Sequence, residues 1–125
     1  MYLIDTNIFL EILLNDPRSG QCETFLNDNI GNLHISDFSF HSIGVVLYRK
    51  NKPGLFSLFI RDVIPYIKIE TIPVDYYFLL ESGHSTYNLD FDDAFQYGTA
   101  KFHGLILKTL DHHFNSITDI TVEPI

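Results

Sequence analysis

The sequence has little cysteine, few basic residues and no long apolar run, and each shortage excludes a class of protein. Its single cysteine, Cys22, cannot form an intramolecular disulfide, which fits a reducing compartment. No apolar run approaches the roughly 20 residues that span a bilayer. The first residues, Met1 to Asp5, contain neither a basic segment nor a cleavable apolar stretch. We therefore expect a cytoplasmic protein without a membrane segment.

Basic residues are scarce, since eight Lys and Arg stand against 16 Asp and Glu and the net charge is −8. Proteins that bind nucleic acid usually carry a basic patch. Four basic residues lie close together in sequence: Arg49, Lys50, Lys52 and Arg61. The first three are weak candidates for contacts with a phosphate backbone, and a solvated surface is the alternative. The acidity agrees equally with ordinary solubility, with acids concentrated in a site, and with a basic partner protein.

The length and the order of apolar segments predict one α/β domain spanning residues 1–125. A chain of 125 residues, 46% of them hydrophobic, suits a single domain. Short apolar runs alternate with amphipathic segments, as in a parallel sheet with helices on both faces. Four or five strands are predicted, from segments 2–4, 33–35, 67–72, 105–107 and 120–122. Helices are predicted at 8–14, 17–27, 36–49, 55–64, 74–87 and 90–102, the second capped by Asp16.

Acidic residues adjoin these elements at three distant points of the sequence. Asp5 follows the first strand, Asp93 lies in the first turn of the last helix, and Asp111 follows the strand at 105–107. Sites in parallel sheets form beyond the carboxyl ends of the strands, so we expect these carboxylates to converge. Converging carboxylates repel one another, and Mg²⁺ or Mn²⁺, which prefer oxygen ligands, would hold them together. We interpret the set as a metal-dependent nuclease site.

Each of these acids also has a structural alternative. Asp5 suits a helix N-cap, and Asp111 suits a turn. Asp90 suits the N-cap of the last helix, with Asp93 three residues later as in a capping box. Asp90 and Asp92 are also candidates to support a metal from nearby.

Two adjacent histidines, His112 and His113, follow Asp111 directly. They suggest comparison with a zinc site, but adjacent residues point in different directions and no other His or Cys lies at a zinc spacing. We expect both to be solvent-exposed turn residues.

With these residues laid out, the chain resembles the PIN-domain ribonucleases, especially the toxin subunits of the VapC type. The resemblance follows an ordered set of motifs over nearly the whole chain. The motifs are Asp5-Thr6-Asn7 after the first strand, Asp93-Ala94 in a helix, and Thr109-Leu110-Asp111 followed by Phe114.

The resemblance implies a three-layer α/β/α fold and a metal-dependent endoribonuclease that hydrolyses RNA. It implies that Asp5, Asp93 and Asp111 are the catalytic acids and bind Mg²⁺ or Mn²⁺. It also implies that the protein is the toxin of a type II toxin–antitoxin pair, with a small antitoxin covering the site. A homodimer is compatible with the same resemblance.

The chain departs from the family at one position of the site. The family usually has a glutamate in the helix after the second strand, and Ser42 occupies that position here. His41 and Ser42 are the candidates to replace it, as weaker polar ligands or as groups that hold water. Asn7 and Thr109 are further supporting candidates, able to hydrogen-bond a carboxylate or a bound water.

Two other functions stay open. The missing glutamate and the net charge also suit a catalytically weak or inactive PIN-like module that binds or regulates. A phosphatase that forms an aspartyl-phosphate needs a second Asp two residues after the nucleophilic one. That position is Asn7 here, which disfavours the phosphatase.

Overall fold

A parallel sheet of five strands forms the centre of the structure. The computed structural model describes residues 1–125, and its strands are β1 (Tyr2–Ile4), β2 (Leu33–Ser36), β3 (Lys68–Glu70), β4 (Ile106–Thr109) and β5 (Val122–Pro124). Their order across the sheet is β3-β2-β1-β4-β5, and every neighbouring pair is parallel. The predicted parallel sheet is therefore confirmed. Because β1 is the central strand, Asp5 lies at the middle of the sheet's carboxyl edge.

Six α-helices cover the two faces of the sheet. They are α1 (Thr6–Leu13), α2 (Ser19–Asp28), α3 (Asp37–Arg49), α4 (Pro53–Asp62), α5 (Phe78–Tyr87) and α6 (Phe91–His103), with short 3-10 turns at Ile64–Tyr66, Val74–Tyr77 and His112–Phe114. Helices α1 to α4 pack on one face, and α5 and α6 pack on the other. The predicted three-layer α/β/α arrangement is confirmed. None of the helices has the length and apolar character needed to cross a membrane.

Strand β1 separates two apolar cores, because successive side chains of a strand point to opposite faces. Leu3 packs in the core beneath α6, together with Phe95 and Leu107. Ile4 packs in the core beneath α1 and α3, together with Ile8 and Ile43. A strand that is buried on both faces needs an uninterrupted apolar sequence. This double burial fixes the end of β1, and therefore Asp5, in the interior of the fold.

The starts of the second helix and of the last strand differ from those predicted. Helix α2 begins at Ser19, and Asp16 does not cap it with its side chain. The carbonyl of Asp16 instead accepts the backbone N–H of Ser19 at 2.9 Å, which closes the turn that contains Pro17. Strand β5 lies two residues later than predicted, because pairing with β4 places Val122 opposite Leu107.

Candidate functional site

Asp5 lies at the carboxyl end of β1 with its carboxylate almost fully buried. Oδ1 accepts hydrogen bonds from the backbone N–H of Thr6 at 2.8 Å and from Nε2 of Gln96 at 3.0 Å. Oδ2 accepts a hydrogen bond from the hydroxyl of Thr109 at 2.7 Å. Burial raises the pKa of Asp5, and these three donors oppose that effect. Asp5 therefore caps α1 and faces the carboxyl edge of the sheet at the same time.

Asp93 is the third residue of α6, and its helix is capped by its neighbour Asp90. The Asp90 carboxylate accepts the backbone N–H of Asp93 at 2.9 Å. The pKa of Asp93 is raised to about 6, first by burial and then by the carboxylates of Asp90, Asp111 and Asp5 in that order. His113 acts in the opposite direction. Carboxylate oxygens of Asp93 and Asp111 lie within 4.8 Å of one another.

Asp111 follows β4 and is linked to Asp5 through one hydroxyl group. The Thr109 hydroxyl accepts the backbone N–H of Asp111 at 2.9 Å and donates its proton to Asp5. Thr109 is itself buried. The ends of the neighbouring strands β1 and β4 are thus joined by side-chain hydrogen bonds as well as by backbone pairing.

A buried polar network that was not predicted from the sequence supports Asp5. Nε2 of Gln96 donates to Asp5 and to the hydroxyl of Ser39, and Oε1 of Gln96 accepts from the hydroxyl of Ser36 at 2.9 Å. The hydroxyl of Thr6 donates to that of Ser39 at 2.8 Å. One signal was present, because Gln96 lies three residues after Asp93 and therefore on the same face of its helix.

An open cavity of about 230 Å³ adjoins these groups. Its lining comes from α1, α3 and α6: Asp5, Thr6, Asn7, Leu10, Phe38, Ser42, Val46, Asp92, Asp93 and Gln96. Ser42 therefore faces the cavity with a hydroxyl where a carboxylate was expected, and helix α3 contributes no acid to the lining. Asn7 and Asp92 also lie at the cavity. His41 is exposed and does not line it, so the structure does not bring His41 to this site.

His113 approaches two of the acids, unlike its neighbour His112. Nδ1 of His113 lies 3.1 Å from Oδ2 of Asp111 and 3.4 Å from Oδ2 of Asp93. His113 is an exposed turn residue, as expected, since its side chain is 71% exposed, and its ring also lies close to both carboxylates. His112 points elsewhere, with its ring nitrogen 3.5 Å from the side-chain amide of Asn115.

The donor atoms at this edge suit a divalent cation. A carboxylate oxygen of Asp93, a carboxylate oxygen of Asp111 and a ring nitrogen of His113 lie within 4.8 Å of one another. Oxygen donors fit Mg²⁺ and Mn²⁺, and an imidazole nitrogen also fits transition metals. Asp5 lies outside this closest group. Three of its four lone-pair positions are already occupied by donors, and one on Oδ2 is left.

The basic residues lie beyond the cavity. Arg49 and Lys50 follow Val46 by three and four residues, so they occupy the same face of α3 about one turn farther along. Both are exposed, as is Lys52, and none of the three lines the cavity. Arg61 is engaged in an ion pair, its Nε lying 2.7 Å from Oδ1 of Asp62.

Comparisons with known proteins agree with this architecture. A protein-family model described as PIN domain matches residues 2–120. No curated protein matches the chain significantly. Similar solved structures include a toxin–antitoxin complex from Klebsiella pneumoniae, with a TM-score of 0.76 and 22% identity over 97% of this chain and 96% of that chain.

Two further structures show the same likeness. VapBC2 from Rickettsia felis, bound to a DNA fragment from its promoter, has a TM-score of 0.82 at 15% identity, over 98% of this chain and 97% of that chain. The Mycobacterium tuberculosis toxin VapC20, described as cleaving the sarcin–ricin loop, has a TM-score of 0.76 at 12% identity, over 96% of this chain and 98% of that chain. At these sequence identities, the similarity to the solved structures establishes the fold alone.

Proposed function

We propose, on the premise that this chain belongs to the PIN domain family, that it is a metal-dependent endoribonuclease that hydrolyses phosphodiester bonds of RNA. The observation that carries the proposal is the convergence of Asp5, Asp93 and Asp111 at the carboxyl edge of the sheet. Burial raises the pKa of Asp93, and the carboxylates of Asp90, Asp111 and Asp5 add to this effect, as expected of acids that lie close together. The ion would be Mg²⁺ or Mn²⁺.

The acids have separate tasks in this proposal. A divalent ion bound among them supplies an activated water and neutralises charge on the scissile phosphate. Asp93 and Asp111 would bind the ion through carboxylate oxygens that face one another across the site. Asp5 keeps one free lone pair on Oδ2, and its three donors hold that oxygen in a fixed direction. Such fixed orientation is what a metal-binding site requires of its ligands.

The lining of the cavity indicates how substrate and water would be placed. Asn7 of α1 and Ser42 of α3 both offer polar groups to the cavity. The hydroxyl of Ser42 is able to hold a water but carries no charge. Arg49, Lys50 and Lys52 would contact the RNA backbone beyond the cavity, where the acids no longer repel phosphate.

We also propose that the protein is the toxin of a type II toxin–antitoxin pair and acts in the cytoplasm. Support comes from the structural neighbours, of which one is described as a toxin–antitoxin complex and another as the toxin–antitoxin pair VapBC2. The antitoxin would be a small protein that inserts an Arg or Lys among the carboxylates, since the chain carries a net charge of −8. The toxin would form a homodimer.

A catalytically weak module is the second candidate, and Ser42 favours it. The cavity receives no carboxylate from α3, so an ion there is bound by fewer charges than the family pattern provides. In this case Mn²⁺ would raise the melting temperature of the protein, as a ligand of the native state must. RNA would nevertheless remain intact.

The experiment that tests the proposal is cleavage of a pool of structured RNAs by the purified protein. Reactions contain Mg²⁺, Mn²⁺ or EDTA, and Asp93→Asn is compared with Asp28→Asn, a matched change of an exposed acid at the end of α2. We expect cleavage that needs metal, is lost in Asp93→Asn and persists in Asp28→Asn. Cleavage that persists in Asp93→Asn or in EDTA would overturn the assignment. Intact RNA together with Mn²⁺-dependent thermal stabilisation would favour the weak module.

A further inference from the structure

The imidazole of His113 occupies the space between the carboxylates of Asp93 and Asp111. Nδ1 is 3.1 Å from one carboxylate oxygen and 3.4 Å from the other. No other nitrogen of the chain makes an ion pair with either acid. His113 therefore stands in a different relation to the site from every other histidine of the chain.

These separations match those of ligand atoms around one small ion. Two donors that each lie about 2.0–2.2 Å from a metal, at octahedral or tetrahedral angles, are about 3.0–3.5 Å apart. The two measured distances fall in this range, and all three donor atoms lie within 4.8 Å of one another.

The local backbone holds His113 in this direction. Its N–H donates to Oδ1 of Asp111 at 2.9 Å, so the residue is fixed to the very carboxylate that its ring faces. The ring's Nε2 has no hydrogen-bond partner in the chain and faces solvent, so it can keep the proton while Nδ1 binds a metal. This tautomer is the one that ligation through Nδ1 requires.

We propose that His113 is a direct metal ligand through Nδ1, so that an imidazole joins the carboxylate ligands of the ion and the site prefers Mn²⁺ to Mg²⁺. The inference rests on the proposed metal-dependent function and names its ion more closely. Imidazole suits transition metals, whereas Mg²⁺ strongly favours oxygen ligands. His113 thus supplies an additional protein ligand at a site that receives only the Ser42 hydroxyl from α3.

The decisive measurement is pulsed electron paramagnetic resonance of the Mn²⁺-loaded full chain, without RNA. A directly bound imidazole nitrogen modulates the electron spin echo of Mn²⁺. We expect this nitrogen signal in the parent protein, its loss in His113→Ala and its retention in His112→Ala. His112 is the matched control because it is adjacent and does not face the carboxylates. Both changes leave the buried cores intact, so the variants are expected to fold.

Calorimetric titration with each metal gives a second readout. His113→Ala should weaken Mn²⁺ binding by about 10-fold and weaken Mg²⁺ binding less. His113→Asp should restore metal binding but shift the preference towards Mg²⁺, because an oxygen ligand replaces the imidazole nitrogen at position 113. Equal losses for both metals in His113→Ala would contradict the proposed preference.

The outcomes separate this inference from the proposed function. Mn²⁺ binding that depends on Asp93 but shows no nitrogen signal, or a signal that survives in His113→Ala, would overturn the ligand role of His113 and leave the nuclease proposal standing. Failure of the parent protein to bind Mn²⁺ or Mg²⁺ would overturn both. A nitrogen signal in the parent that disappears only in His113→Ala would support the inference, whether or not the RNA tested is cleaved.

Discussion

Gln96 of α6 donates a hydrogen bond from Nε2 to Oδ1 of Asp5, 3.0 Å away and separated from it by 91 residues in sequence. The same nitrogen donates to the hydroxyl of Ser39 at 2.7 Å, and Oε1 of the amide accepts from Ser36. One buried side chain therefore connects α6 to the end of β1 and the start of α3. The orientation of Asp5 depends on a residue from the other layer of the fold.

Replacing Gln96 by Leu tests this connection. The change keeps the approximate size of the side chain but removes three buried hydrogen bonds, so we expect the free energy of unfolding to fall by about 1–3 kcal/mol. Urea denaturation monitored by circular dichroism measures the loss. Gln21→Leu is the control, because Gln21 is exposed and bonds only to Arg18. An equal loss in both variants would show that the buried amide has no special role.

The raised pKa of Asp93 predicts how stability depends on pH in the protein without metal. The pKa is about 6 in the folded state against an ordinary value of 3.8, so the folded state holds this proton more tightly than the unfolded state does. The resulting stabilisation is complete below pH 3.8 and is lost as the pH rises through 6. Above that pH the ionised Asp93 carboxylate destabilises the folded state, and Asp93→Asn removes this destabilisation.

In EDTA at pH 7.5 we therefore expect Asp93→Asn to melt about 2–4 °C above the parent protein, after allowance for solvent screening. The difference should shrink towards zero at about pH 4.5, where the folded parent is already protonated at this site. Differential scanning fluorimetry over that pH range measures it, with Asp28→Asn as the reference. A parent protein that melts above Asp93→Asn at pH 7.5 would contradict the predicted sign.

Asp119 anchors the connection between β4 and β5 onto α5 and α6. Its carboxylate accepts from the hydroxyls of Tyr97 at 2.6 Å and Tyr87 at 3.1 Å, and from Nζ of Lys101 at 2.7 Å. Burial acts to raise the pKa of Asp119, but these donors hold it below its ordinary value. The pKa of Tyr97 is raised to about 12, chiefly by burial and next by its hydrogen bond to the Asp119 carboxylate.

We expect Asp119→Asn to lower the free energy of unfolding by about 1–2 kcal/mol at neutral pH. The difference in unfolding free energy between the parent protein and Asp119→Asn should diminish as the pH falls below 3.8, the ordinary pKa of the carboxyl group. The reason is that the donors stabilise the charged form of Asp119. Asp62→Asn is the control, since Asp62 forms only the exposed pair with Arg61 and its replacement should leave the free energy of unfolding nearly unchanged. Denaturant titrations at pH 7 and pH 3 compare them, and indistinguishable variants at pH 7 would contradict the anchor.

Ser42→Glu would place a carboxylate at the cavity from α3. We expect tighter Mg²⁺ binding by about 10-fold, equivalent to about 1.4 kcal/mol, because another charged oxygen ligand becomes available. The metal-free protein should become less stable, since the added carboxylate would repel that of Asp93. Calorimetry with Mg²⁺ and thermal melts in EDTA measure both effects. Ser57→Glu on the exposed side of α4 is the control and should change neither the Mg²⁺ affinity nor the stability without metal. Unchanged Mg²⁺ affinity in Ser42→Glu would show that Ser42 does not lie close to the ion.

The positions of the acids were predictable because they depend on strand ends. A parallel sheet brings the carboxyl ends of its strands to one edge, and the apolar runs before Asp5 and Asp111 are visible in the sequence. Asp93 shares the start of its helix with Asp90 and Asp92, and the resemblance to the PIN-domain ribonucleases is what singled it out. The fold itself followed from the alternation of strands and helices, which is a property of local sequence.

The supporting contacts were less accessible to prediction, because they depend on how separate layers pack. Gln96 reaches Asp5 only because α6 crosses the carboxyl edge of β1, and nothing in local sequence fixes that crossing. The ring of His113 belongs to a turn, where no periodicity dictates its direction. The position of β5 was likewise set by pairing with Leu107 rather than by the apolar residues around Ile120.

The hydrogen bond from Thr109 to Asp5 spans 104 residues of sequence, so it has a consequence for the order of events during synthesis. Strand β1 and Asp5 leave the ribosome long before β4, Thr109 and Asp111 do. A nascent chain that ends before β4 contains Asp5, Asp93 and Gln96 but lacks Thr109 and Asp111. We therefore expect the proposed site to stay incomplete in the growing polypeptide until β4 has emerged and paired with the first strand.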